Sequence, residues 1–242
     1  MKTRFLAPHP TFGTKNKPKT ASYQRRSPFY WWWAYLRCND EYLKCCERGG
    51  KGKYSKLYAD FGDVRGESFK DWWSSSQRGA TLFGEREHLT RLTEAEDITQ
   101  VPAEWDKKGL MVVLVPLTST KAYIRSRFSA LIKRRHLRQR GRIADKFAVS
   151  TAKYKLAQNY TIENLDKCLA VYLKWRAAQS QPKKVPLWKI GADLRLVPSA
   201  QPKPTDTRED SLLNRRVLAV SVSRYLKQAK QRIEGAANGV FP

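Results

Sequence analysis

The sequence predicts a mainly α fold with a small β element, and three observations point there. Apolar residues recur at helical spacing in the segments 29–46, 120–142 and 161–236. One run, Leu110–Leu117, is continuously apolar and β-branched and is bounded by Gly109 and Pro116, as a strand would be. Hydrophobic residues make up 41% of the 242 positions, with 8 Trp, 11 Tyr and 9 Phe. That is enough to build a core, which a disordered basic tail could not do.

The elements follow in order. Residues 1–28 hold seven basic residues, no acid and four prolines, with little periodicity, and read as a flexible or extended basic arm. Residues 29–156 read as an aromatic-rich α+β domain. It opens with a helix carrying Trp31-Trp32-Trp33, Tyr35 and Leu36 and continuing to Cys46, and Gly49-Gly50 ends it. Three consecutive tryptophans point in different directions around a helix, so they predict packing rather than one stacking platform. Ser68 is placed to cap a short helix at Asp71. Weak strand candidates at 56–61 and 80–84 would be the partners that the 110–117 strand needs. A basic helix over 120–142 follows, capped by Ser119 or Thr120, with an apolar stripe of Ile124, Phe128, Leu131 and Ile132 for the core. Residues 157–242 read as a helical domain: a helix opened by Thr161, a second over Pro186–Leu194 and a long final helix from about Leu212 to Ala236.

Charge is the strongest functional signal. The chain has 47 Lys plus Arg against 22 Asp plus Glu, a formal net charge of +25. Such a field attracts polyanions, and each cation that neutralises a phosphate releases a condensed counterion. The excess is uneven. Residues 121–155 hold twelve basic residues and one acid, whereas residues 56–106 hold six basic residues and eleven acids. The expected phosphate contacts on the basic helix are Arg125, Lys133, Arg134, Arg138, Arg140 and Arg142, with Arg216 on the second basic helix near the C-terminus. The acidic 56–106 region is a candidate surface for a protein partner.

Catalytic constellations are lacking. His9, His88 and His136 are scattered, and no phosphate-loop or dinucleotide motif occurs. Cys38, Cys45, Cys46 and Cys168 lack paired C-x-x-C spacing. No catalytic residue, cofactor or metal is therefore expected. The dense carboxylates Asp60, Asp63, Glu67 and Asp71 are what a metal-dependent nuclease would use, although their spacing fits no motif. No apolar run of signal-peptide length occurs at Met1–Phe12, and no stretch of 18 apolar residues occurs anywhere. With free thiols expected as well, a reducing cytoplasm is the expected compartment and no membrane association is anticipated.

The C-terminal strings carry a resemblance. Ile190-Gly191-Ala192-Asp193-Leu194-Arg195-Leu196-Val197 resembles the positioning helix and turn of the helix-turn-helix DNA-binding modules. Val220-Ser221-Val222-Ser223-Arg224-Tyr225-Leu226-Lys227-Gln228-Ala229 resembles their recognition helix. About twenty residues, including Pro202 and Pro204, stand where the family has its tight turn. The resemblance implies that Ser221, Ser223, Arg224 and Lys227 face DNA, that Val222, Leu226 and Ile190 pack, and that the role is transcription regulation. A weaker likeness to bacterial transcriptional-regulator-like modules lies in Trp31-x-Trp33-x-Tyr35-Leu36-Arg37-x-Asn39-x-x-Tyr42. The expectation is a non-enzymatic nucleic-acid-binding protein, with double-stranded DNA favoured over RNA. The alternatives are an RNA or single-strand binder within a ribonucleoprotein, an inhibitor occupying a nucleic-acid channel, and a metal-dependent nuclease.

Overall fold

A computed structural model describes residues 3–14, 16–66, 68–85, 94–101, 103, 105, 110–135, 150–157, 159–182 and 184–242. The described chain is mostly helical. Its β content is two isolated bridges, Gly13 with Pro18 and Leu156 with Phe241.

The aromatic segment forms two helices, not one. After the short α1 (Ala21–Gln24), α2 spans Pro28–Leu36 and α3 spans Asp40–Glu47. Ser27 caps α2, with Pro28 at its first position, where a missing N–H costs nothing. Asn39 interrupts the expected continuous helix. Its Oδ1 accepts from the Tyr42 N–H at 2.9 Å and starts α3 in a new direction. Trp31, Trp32 and Trp33 are all buried, each toward a different neighbour. Trp31 Nε1 donates to the Arg25 carbonyl at 2.7 Å, and Trp32 Nε1 donates to the Ala236 carbonyl at 3.3 Å.

The weak strand candidates are helical. Residues 56–61 fall in α4 (Ser55–Phe61), and 80–83 fall in α6 (Arg78–Phe83). Between them lies α5 (Phe69–Ser74), capped by Ser68 through the Asp71 N–H as expected. The turn between α3 and α4 uses Gly50 at φ +91, where a Cβ would strike the Tyr58 ring. With both candidate partners helical, the expected strand Leu110–Leu117 has no ladder among the described residues. This corrects the β part of the expectation. The run is irregular, and Leu114 is 93% and Leu117 89% exposed.

The described part of the expected arm is seated on the molecule over residues 3–12, and α1 lies in its later part. Ala7 is buried, the Phe5 ring lies 6.0 Å from Phe29, and Phe12 lies 6.1 Å from Phe69. These apolar residues anchor it, and Arg4, Lys17, Lys19, Arg25 and Arg26 stay exposed. The expected boundary between 29–156 and 157–242 does not divide the core. One hydrophobic cluster includes Trp32, Phe61 and Phe83 together with Leu165, Val222 and Phe241. Tyr35 donates from its hydroxyl to the Leu165 carbonyl at 2.8 Å across that boundary.

The rest of the frame is α7 (Lys121–Arg135), α8 (Ile162–Gln179), α9 (Leu187–Asp193) and α10 (Arg208–Ala237). Thr161 caps α8 through the Asn164 N–H. The final helix begins a turn before the expected Leu212, because Thr207 and Asp210 form a reciprocal capping box. Its 30 residues reach about 45 Å. It packs against α2, α8 and α9. Gly191 permits the closest approach: a Cβ there would lie 3.1 Å from Leu218 Cβ and 3.2 Å from Val222 Cγ2.

Candidate nucleic-acid interface

Helix α7 is where the charge density is highest. Its sequence KAYIRSRFSALIKRR holds six cations and no acid. All six cations, Lys121, Arg125, Arg127, Lys133, Arg134 and Arg135, are exposed. Thr120 starts the helix, its hydroxyl accepting from the Tyr123 N–H at 3.3 Å. Lys133, Arg134 and Arg135 occupy the last turn, where the helix dipole favours positive charge. No residue of α7 is buried, which corrects the expectation that its apolar stripe enters the core. Ile124, Phe128 and Leu131 are half-buried, and Ile132 is exposed. The physical reason is that cations stand on every side of the helix. Burying any face would strip water from at least one of them. Among the described residues no ion pair reaches α7, so no carboxylate offsets its field there. Arg138, Arg140 and Arg142 lie outside the described residues.

Helix α10 gathers the second set. Arg216, Ser223 and Lys227 are exposed and lie on one side at i, i+7 and i+11, with Val220 between them and Arg224 beside them. Ser221 is half-buried and sits toward the opposite flank, away from that stripe. Val222, Leu226 and Ile190 are buried packing residues. The stretch Val220–Ala229 is the middle of one long helix, whereas helix-turn-helix readers place the start of a helix in the groove. Residues 190–197 run from the end of α9 through Arg195, which adopts a left-handed backbone at φ 48.

Four carboxylates of the acidic region, Asp60, Asp63, Asp71 and Glu85, have partners within the molecule. Asp60 accepts from Lys153 Nζ and, at 2.7 Å, from the Tyr154 hydroxyl. Glu85 accepts from Ser150 Oγ at 2.8 Å and from the Thr151 N–H at 2.6 Å. These contacts fasten the stretch that follows the basic segment onto the helical body. Asp63 pairs with Arg65 at 2.7 Å, and that bond holds its carboxyl below its ordinary value. Asp71 accepts from the Ser68 hydroxyl at 2.6 Å. Glu67 lies outside the described residues. Among the described residues no three His, Cys, Asp or Glu side chains converge as a metal ion would require. The four cysteines are buried and free. Burial pushes the Cys38 thiol up to about 11 and raises Cys46 and Cys168 as well, so these thiols stay neutral near pH 7.

A cleft between α3, α8 and α10 has no counterpart in the sequence expectations. It is a groove open to solvent, with a volume of about 510 Å³. Trp175 and Tyr172 form one wall, their rings 6.0 Å apart, and Tyr54 faces in from the loop before α4. Lys230 Nζ stands 4.6 Å from the Trp175 ring centroid. Arg176 bridges to Asp40 at 2.5 Å, closing the end nearest α3. The one sequence signal for it is Tyr172, Trp175 and Arg176 within about one helical turn, but their partners on α3 and α10 are distant in the chain.

No protein-family model, curated protein or solved structure matches the chain. Among the described residues no helix is long and apolar enough to cross a membrane.

Proposed function

We propose that this protein is a non-enzymatic nucleic-acid-binding protein that works in the cytoplasm and holds its ligand mainly through phosphates. The observation that carries this reading is α7: six exposed cations, no acid and no buried residue over about 22 Å of helix. A helix without an acid partner gains most from an external polyanion, because binding removes its self-repulsion and releases counterions. The exposed stripe Arg216, Ser223 and Lys227, with Arg224 beside it, supports duplex DNA as the ligand and a role in transcription regulation. Ser221 contributes less to this reading, since its side chain lies off the stripe.

The second reading is an RNA or a single strand. It is favoured by the aromatic cleft, which has no use for a fully stacked duplex.

The test is a salt titration of binding to duplex DNA, single-stranded DNA and structured RNA. Replacing Lys133 and Arg134 with Glu should weaken all ligands and flatten the log–log salt dependence by roughly one unit for each phosphate that is no longer neutralised. Unchanged affinity and slope would sink the role of α7. Replacing Arg224 with Ala should reduce discrimination between duplex sequences more than it reduces non-specific binding, and an equal loss on every sequence would remove groove readout by α10.

A further inference from the structure

The cleft between α3, α8 and α10 differs in kind from the rest of the surface. The chain carries +25, yet the cleft is balanced, with Asp40 and Glu234 against Arg176 and Lys230. A site for a free anion would show a cationic excess, and a site for a cation would show an acidic one. Here neither sign dominates, and the lining surface is mainly apolar. Trp175, half-buried, supplies flat π surface, with the buried Tyr172 beside it. Gln179, exposed at the rim, carries both an amide donor and a carbonyl acceptor. Such a lining suits a flat, neutral heteroaromatic ring with donors and acceptors on its edge. The volume falls within the roughly 300–1,000 Å³ of small-ligand sites.

Lys230 shows how the site would open. Its ammonium rests 4.6 Å from the Trp175 centroid and has no ion-pair partner among the described residues. Its four-carbon stem lets it swing outward, exchanging the indole face for a phosphate. Arg176 is tied to Asp40, and the Asn39 amide accepts from the Tyr42 N–H and donates to the Ile233 carbonyl at 3.5 Å. The α3 side of the cleft is therefore tied to both α8 and α10.

We propose that this cleft takes one unpaired nucleobase of a nucleic-acid strand, stacked on Trp175, with Lys230 moving onto the adjoining phosphate. The assignment rests on the nucleic-acid reading above and adds a base-dependent contact to it. Stacking of this kind tolerates any base, because every base has a π face.

The full-length protein is titrated with an oligothymidylate of about fifteen nucleotides and with an abasic strand of the same length and charge, a size that spans typical single-strand sites. The thymidylate should bind roughly five- to a hundredfold more tightly, which is the range for one stacked base. Trp175→Leu, which keeps apolar bulk but removes the ring, should abolish the difference. Trp175→Phe should retain most of it. Charge reversal at Lys133 and Arg134 should weaken both strands alike and leave their ratio unchanged. Equal, tight binding of both strands by the wild-type protein overturns the base site while leaving the phosphate-binding reading intact. A preference that survives Trp175→Leu in a folded protein overturns it too. Failure to bind either strand, duplex DNA or RNA overturns both readings together.

Discussion

Helices α2 and α7 are both rich in apolar residues, yet one lies at the centre of the molecule and the other is wholly outside the core. Over Pro28–Leu36 there is no charge, and seven of the nine residues are buried. Over Lys121–Arg135 the apolar residues Tyr123, Ile124, Phe128, Leu131 and Ile132 are interleaved with six cations, and nothing is buried. Apolar residues fill α2 but make up fewer than half of α7. The physical consequence is that α2 can leave water on any face without taking a charge with it, and α7 cannot. Aromatic side chains add to the contrast. Each can bury a large area around a short helix, and Trp32 alone meets the rings of Phe61, Phe83, Tyr154 and Phe241.

The contrast can be broken first at its strongest point. Trp32→Ala should cost about 3–5 kcal/mol, measured by denaturant unfolding, because Trp32 is fully buried and links α2 to the end of α10. A loss under about 1 kcal/mol would show that the core can close over the gap and that α2 is not its centre.

Alkali tests the buried region. The Cys38 thiol rises from an ordinary 9.0 to about 11 because burial penalises its charged form. Burial likewise raises Cys46, Cys168, Tyr35 and Tyr42. A group whose acid constant is raised on folding stabilises the fold below its unfolded value, and that stability is lost as pH rises through the folded value. The core should therefore weaken between about pH 9 and 11, with Cys38 alone contributing on the order of 2 kcal/mol. Tryptophan fluorescence followed against pH, with Cys38→Ser as the control, reads the effect. Stability that stays flat to about pH 11 would mean that the thiols are not desolvated.

The smallest effect belongs to α7. Phe128→Ala should change unfolding free energy by no more than about 0.5 kcal/mol, since Phe128 is only half-buried and belongs to no core cluster. A loss of about 2 kcal/mol or more would place α7 in the cooperative fold and remove the distinction between the two helices. The same helix should nonetheless dominate the salt dependence of nucleic-acid binding.

Much of the helical frame is legible in the sequence where one residue acts locally. Ser68 and Thr161 cap the helices that the sequence places after them, because an N-cap needs only a side-chain oxygen and a backbone N–H three residues on. The tryptophans of α2 pack, as their spread around a helix implies. The break at Asn39 is not legible, since periodicity runs straight through it while a competing side-chain cap resets the backbone. Leu110–Leu117 reads as a strand on composition alone, but a strand is defined by its partner, and its two candidate partners are helical. The cleft is invisible in the sequence because its walls come from α3, α8 and α10, which only the fold brings together.

By itself, then, the sequence determined the helical class, the local caps, the aromatic identity of the core and the size and unevenness of the charge. These follow from composition and from interactions within one or two turns of chain. The tertiary structure decided what depends on distant neighbours. It seated the basic arm through Phe5 and Phe12, joined two expected domains in one core, and left α7 in water. It also committed the carboxylates Asp60 and Glu85 to fastening residues 150–154, leaving the cations of α7 with no described carboxylate to answer them. Burial and pairing are properties of position in space, and no local pattern along the chain encodes which carboxylate a given cation will meet.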